Sequence, residues 1–166
     1  MWSKTRQILE SKIADKLQGR ISYHYDVYRT KKHKDKPDWH TEMHVFSIIV
    51  DGDAWFCTNP RFYSSLHRSN GKTEEEVIRE TGFVGCEWGY NAPQYIGKFL
   101  SMSINEAFTH ENYFIRLLAL LDKRVGKRRL TQLVTSIDNE PEWFRKWILL
   151  RCEAEGVRKK VEKKNV

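Results

Sequence analysis

Apolar positions along this chain change period twice, and each change marks a different kind of element. At the start, Ile8, Leu9, Ile13 and Leu17 recur at helical spacing behind Ser3, a capping residue, and Gly19 supplies a stop. From Arg20 to Arg29 the pattern alternates instead. Tyr23, Tyr25 and Val27 fall on one face and His24, Asp26 and Tyr28 on the other, which predicts a strand. Lys31 to Asp38 is charged, contains Pro37 and reads as a loop. Glu42 to Val50 predicts a second strand. Asp51-Gly52 is the dipeptide that a two-residue hairpin favours, so Asp53 to Thr58 becomes a third strand of an antiparallel meander.

Beyond Asn59-Pro60 the period turns helical. Pro60 opens a short helix to about Ser69, Asn70-Gly71 is a turn, and Thr73-x-x-Glu76 is a capping box for the next helix. Thr81 to Asn91 is a glycine-rich aromatic loop, and Pro93 opens a helix running toward Phe108. Residues 113–121 are apolar nearly all round, interrupted by Arg116, and predict the central buried helix. Gly126 ends or kinks it, and Leu130, Leu133, Val134 and Ile137 mark an amphipathic helix. Pro141 opens the last helix, with Trp143, Phe144, Trp147, Ile148 and Leu150 as its buried side and Gly156 as its stop. The expected fold is α+β: a three-stranded antiparallel meander followed and covered by a mainly helical C-terminal half. Residues 1–156 read as one domain and 157–166 as a charged, frayed tail.

Composition narrows the class. Apolar residues make up 40 % and aromatics 13 % of the 166, which describes a chain that buries a core. No apolar run reaches the length of a membrane span, and the start lacks the apolar core of a signal peptide. Cys57, Cys86 and Cys152 are scattered and odd in number, the pattern of reduced thiols rather than of a disulfide framework. The expected location is therefore the cytoplasm, without a membrane partner.

Charge is distributed in blocks. Residues 1–40 carry ten Lys/Arg against five Asp/Glu, residues 41–110 five against nine, and residues 111–166 fourteen against eight. The densest cluster is Lys123, Arg124, Lys127, Arg128 and Arg129 around Gly126. Lys123 and Arg124 follow a helix C-terminus, where the dipole favours cations. Lys127, Arg128 and Arg129 open the next helix, where it disfavours them unless an anion binds. This helix–glycine turn–helix loosely resembles a helix-turn-helix, a form that many αα-hairpins share. The alternative partners for these cations lie within the chain, at Glu140, Glu142 or the acidic middle block.

Three other groups carry candidate chemistry. His40, Glu42 and His44 alternate along one strand face and form a weak divalent-metal set without zincin spacing. Cys86, Glu87, Trp88 and Tyr90 sit between glycines and can wall a pocket. Glu87 would raise the Cys86 pKa and work against a nucleophile there. Arg116, alone in an apolar helix, needs a carboxylate, with Asp122, Glu106, Glu111 and Asp26 as candidates. No catalytic residue and no cofactor fingerprint stands out, and no nucleotide-binding spacing is present.

Trp2-Ser3-Lys4-Thr5, Gly19-Arg20-Ile21-x-Tyr23, Leu121 to Arg128 and Leu150 to Gly156 together resemble a family of uncharacterised bacterial proteins. The resemblance spans nearly the whole chain. It implies a stand-alone cytoplasmic bacterial protein and carries over no catalytic residue. The expected function is a non-enzymatic interaction module that meets an acidic protein or a nucleic acid through a basic surface. Sheet aromatics (Tyr23, Tyr25, Tyr28, Trp39) are candidates for stacking on single strands. The alternatives are a small enzyme, with a pocket between the Gly82–Tyr90 loop and the His40/Glu42/His44 strand, and an immunity-type protein.

Overall fold

The structure is a computed structural model that describes residues 2–29, 42–58 and 89–158, the side chains of Arg29, Glu42 and Met43 aside. Helix α1 spans Trp2–Lys12, followed by strands β1 (Ile21–Arg29), β2 (Glu42–Val50) and β3 (Asp53–Cys57). Among the described residues five α-helices follow from residue 92 on: α2 (Ala92–Ser101), α3 (Ile104–Phe108), α4 (Tyr113–Leu121), α5 (Lys127–Thr135) and α6 (Glu142–Ala154). The two short helices expected between Pro60 and Glu80 lie outside the described residues.

The sheet is the antiparallel meander β1-β2-β3. Ile21 pairs with Val50 and Arg29 with Glu42, and a bulge interrupts the β2–β3 ladder between Ile48 and Ile49. Asp51 and Gly52 adopt φ values of 51° and 94°, the left-handed pair that the Asp-Gly dipeptide permits and the twist of the hairpin requires. Alternation then sorts the strands. Tyr23, Phe46, Ile48 and Val50 face inward and are buried, while Asp26 and Tyr28 face water. Tyr23 is thus core rather than a stacking surface, and burial pushes its hydroxyl pKa up, with Asp122 and Glu10 adding to the rise.

Helix α4 is the centre of the fold. Asn112 caps it, its Oδ1 accepting from Phe114 N at 2.9 Å and Ile115 N at 3.2 Å. Seven of its nine residues are buried, and Phe114 meets Phe46 edge-on at 5.3 Å and stacks on Phe56 at 5.5 Å. Such pairs add to the area term of the hydrophobic effect. Trp147 on α6 is fully buried and packs against Trp55 of β3 at 5.4 Å. One buried cluster runs from Leu9 on α1 to Cys152 on α6.

Several boundaries differ from expectation. Helix α1 stops at Lys12, because Ile13 leaves the helix to pair with Asp122. Gly19, with φ of 76°, shapes the turn before β1 instead. The helix opened at Pro93 breaks after Ser101. Ser103 and Glu106 form a capping box that starts α3, with Glu106 N to Ser103 Oγ at 3.3 Å and Ser103 N to Glu106 Oε2 at 3.0 Å. Ile137 lies in a short 3-10 turn beyond α5. Gly156, with φ of 69°, ends α6 as expected. There Gly156 N bonds Glu153 O at 3.0 Å and Val157 N bonds Cys152 O at 2.8 Å, and Val157 packs against the core. No described helix is long and apolar enough to cross a membrane.

Candidate functional site

The basic cluster around Gly126 is built where three elements meet. Helix α4 ends at Leu121 and α5 starts at Lys127, and the five residues between them turn against the end of α1. Ile13 and Asp122 form an isolated antiparallel bridge. Ala14 N donates to Leu121 O at 2.8 Å and Lys123 N donates to Lys12 O at 2.7 Å. The basic N-terminal and C-terminal blocks, more than a hundred residues apart in sequence, are therefore stitched together through their backbones at Lys12 and Lys123.

Within the turn, anions are consumed internally. Asp122, only 1 % exposed, accepts Arg124 N at 2.8 Å, and its two oxygens take Arg124 Nε and Nη2 at 3.0 and 2.7 Å. The bidentate pair holds the Arg124 pKa above its ordinary value. Beneath the turn lies Arg151 of α6, also 1 % exposed. It donates Nε to Leu120 O at 3.1 Å, Nη2 to Val125 O at 3.0 Å and Nη1 to Glu155. Arg151 continues the buried stripe Phe144, Trp147, Ile148, so helical spacing already places an arginine at a core position. That was the signal to find it.

Of the five predicted cations, three remain open. Lys123, Lys127 and Arg128 are exposed, and among the described residues their side chains have no hydrogen-bond or ion-pair partner. Lys12 and Lys16 add two more cations at the same end, in the last turn of α1 and the 3-10 turn that follows. Arg124 is committed to Asp122. Arg129 turns away to α3, where it donates to Asn105 Oδ1 and lies 6.0 Å over the Phe108 ring. Helix α5 has no acidic residue in its first turn and no side-chain cap at Gly126. Its dipole and its cations therefore both add to a positive potential there.

The remaining candidates are more dispersed. His40, Cys86, Glu87 and Trp88 lie outside the described residues, and Glu42 is paired in register with Arg29. His44 Nδ1 lies 2.7 Å from the Tyr25 hydroxyl, and its ring meets Tyr90 edge-on at 5.3 Å. Gly89 packs so closely on β2 that a Cβ would lie 2.1 Å from His44 O, which explains a glycine there. The end of the glycine-rich loop therefore does reach the His44 strand, although Tyr90 itself is 70 % exposed. Among the described residues no group of three or more His, Cys, Asp or Glu is placed to hold a metal.

Arg116 is partnered by Glu140 rather than by Asp122, Glu106, Glu111 or Asp26. Its Nη2 donates to Glu140 Oε1 at 2.6 Å, and the guanidinium lies 4.6 Å over Tyr113 and 5.1 Å over Phe144. Tyr113 donates its hydroxyl to the same carboxylate at 3.1 Å. Burial and the Glu140 charge raise the Tyr113 pKa. A groove of about 900 Å³ opens beside them, lined by Trp143, Glu142, Arg145 and Lys146 among others. Lys146 spans its rim to Trp55 O at 2.9 Å, and burial lowers its pKa.

The fold and this constellation define a small α+β protein with a braced basic turn at one end of its helical layer. Residues 1–152 match the SF0329 protein family, an uncharacterised family, and the chain belongs to it. No curated protein and no solved structure matches.

Proposed function

We propose that this is a cytoplasmic bacterial interaction module, non-enzymatic, that binds a polyanion through the basic end formed by Lys12, Lys16, Lys123, Lys127 and Arg128. One observation carries the reading: the backbone bridge at Ile13 and Asp122 gathers cations from both ends of the chain, while two of the nearby carboxylates, Asp122 and Glu155, are already engaged by Arg124 and Arg151. Cations left over after internal pairing supply a surface potential rather than stability. The phosphate backbone of a nucleic acid is the partner class that such a surface suits. Contacts of this kind position a ligand and read no sequence. The exposed large apolar residues among those described (Ile8, Val27, Tyr28, Tyr90 and Leu149) include none of the turn, which favours backbone contact over base stacking.

The test is a low-salt fluorescence titration with a duplex oligonucleotide, a single strand of the same sequence and polyglutamate. Duplex binding with a Kd of roughly 1–100 μM supports the reading. Binding of polyglutamate alone would move the partner class to acidic proteins, and binding of none of the three would refute a polyanion site.

A further inference from the structure

We propose that Arg151 is the positioning residue of the basic end, its buried guanidinium fixing the turn from Asp122 to Val125 so that Lys123, Lys127 and Arg128 are presented together. This rests on the reading of that end as a polyanion-binding surface, and it assigns the surface's geometry to a residue no ligand would touch.

The last carbonyls of a helix lack an intrahelical partner. At the end of α4, Leu120 O obtains one from Arg151 Nε, and Val125 O, on the far side of the turn, obtains one from Nη2 of the same guanidinium. The two carbonyls bracket the four residues Leu121 to Arg124, so a single planar group sets the distance across the turn. Only a guanidinium has donors diverging in this fixed way, whereas an ammonium is a point donor on a flexible stem. A charge this deeply buried also needs compensation, and Glu155, four residues on at the C-cap of α6, supplies it to Nη1.

The turn is held on its other side as well. The Asp122 carboxylate gathers Arg124, and Lys12 O takes the Lys123 amide. Lys123, Lys127 and Arg128 make no such side-chain contact, so their placement is inherited from the backbone that Arg151 fastens. The sequence pattern agrees with a dedicated role, since an apolar residue would fit the stripe of α6 but leave both carbonyls unpaired.

The experiment uses the full chain with Arg151→Lys and, as a milder companion, Glu155→Gln, which keeps the guanidinium and removes its counter-charge. Hydrogen exchange is followed at the amides of Lys123, Arg124 and Val125 and at core amides of α4, alongside affinity for the duplex at fixed low salt. In Arg151→Lys the turn amides should exchange at least about tenfold faster while the α4 core amides keep their protection. Affinity should fall about tenfold in parallel. Glu155→Gln should move both readouts the same way by less. Lys127→Ala/Arg128→Ala should lower affinity and leave exchange unchanged. Unchanged turn exchange in Arg151→Lys overturns the brace, and faster exchange with full affinity overturns the positioning role. A wild-type chain that binds no polyanion refutes the surface itself, an outcome told apart because the exchange comparison needs no ligand.

Discussion

Helices α4 and α6 run in the same direction, and their two ends treat charge in opposite ways. At the N-terminal end, Tyr113 faces Trp143 at 5.9 Å and Phe144 at 5.3 Å, and Arg116 is paired with Glu140 and covered by rings. At the C-terminal end, Arg151 and Asp122 are internally satisfied, yet Lys123, Lys127 and Arg128 stand open above them. The first end uses its charges to build the fold. The second builds a scaffold from two buried charges and leaves the others exposed. Cation density alone therefore locates little: internal partners separate the cations that build the fold from those left exposed.

The sharpest way to break this contrast is to remove Arg116. Its side chain and that of Glu140 are 17 % and 13 % exposed, so Arg116→Met strands a mostly buried carboxylate and should cost about 3 kcal/mol, read by urea unfolding. Polyanion affinity should be unchanged. Tyr113→Phe removes the second donor to Glu140 and should cost about 1 kcal/mol in the same assay. At the opposite end, Lys127→Ala/Arg128→Ala should alter stability by no more than about 0.5 kcal/mol while weakening duplex binding, the reverse pattern. If the two ends behaved alike in both assays, the division would be wrong.

The smallest expected effect concerns α3, which holds Arg129 through Asn105 and Phe108. The Ser103 hydroxyl and amide hold the Glu106 carboxyl below its ordinary pKa. A folded-state pKa depressed in this way contributes stability that is present above the unfolded-state pKa. That contribution is lost as pH falls through the lower folded value. Acid unfolding of the wild type should therefore show a loss below the usual carboxylate range that Ser103→Ala reduces.

Much of the fold was legible because its signals are local. Alternation fixed β1 and β2, Asp51-Gly52 fixed the hairpin, and the apolar run at 113–121 fixed α4. The misplaced boundaries have one common cause, a tertiary partner or a cap that outweighed periodicity. Ile13 kept helical spacing and yet left α1 for Asp122, and the Ser103–Glu106 box interrupted what looked like one helix. The candidate surface was half legible. The Gly126 cluster is visible in the sequence, but its joining to Lys12 depends on a long-range backbone bridge. The removal of Arg129 from it depends on α3. Arg116 and Arg151 both sit on apolar stripes, which announces a buried cation without naming its partner.

If the proposed surface is right, the open cations at the turn, and not net charge at large, bind a polyanion. The most direct measurement is the salt dependence of duplex affinity for the wild type and for Lys123→Glu/Lys127→Glu/Arg128→Glu, after both are shown to be folded. With Lys12, Lys16, Lys123, Lys127 and Arg128 all on phosphates, the wild-type slope of log K against log salt approaches about −4.5. The variant should lose about 3 of that slope together with most of its low-salt affinity. A folded variant that keeps the wild-type slope and affinity would rule out the turn as the binding surface.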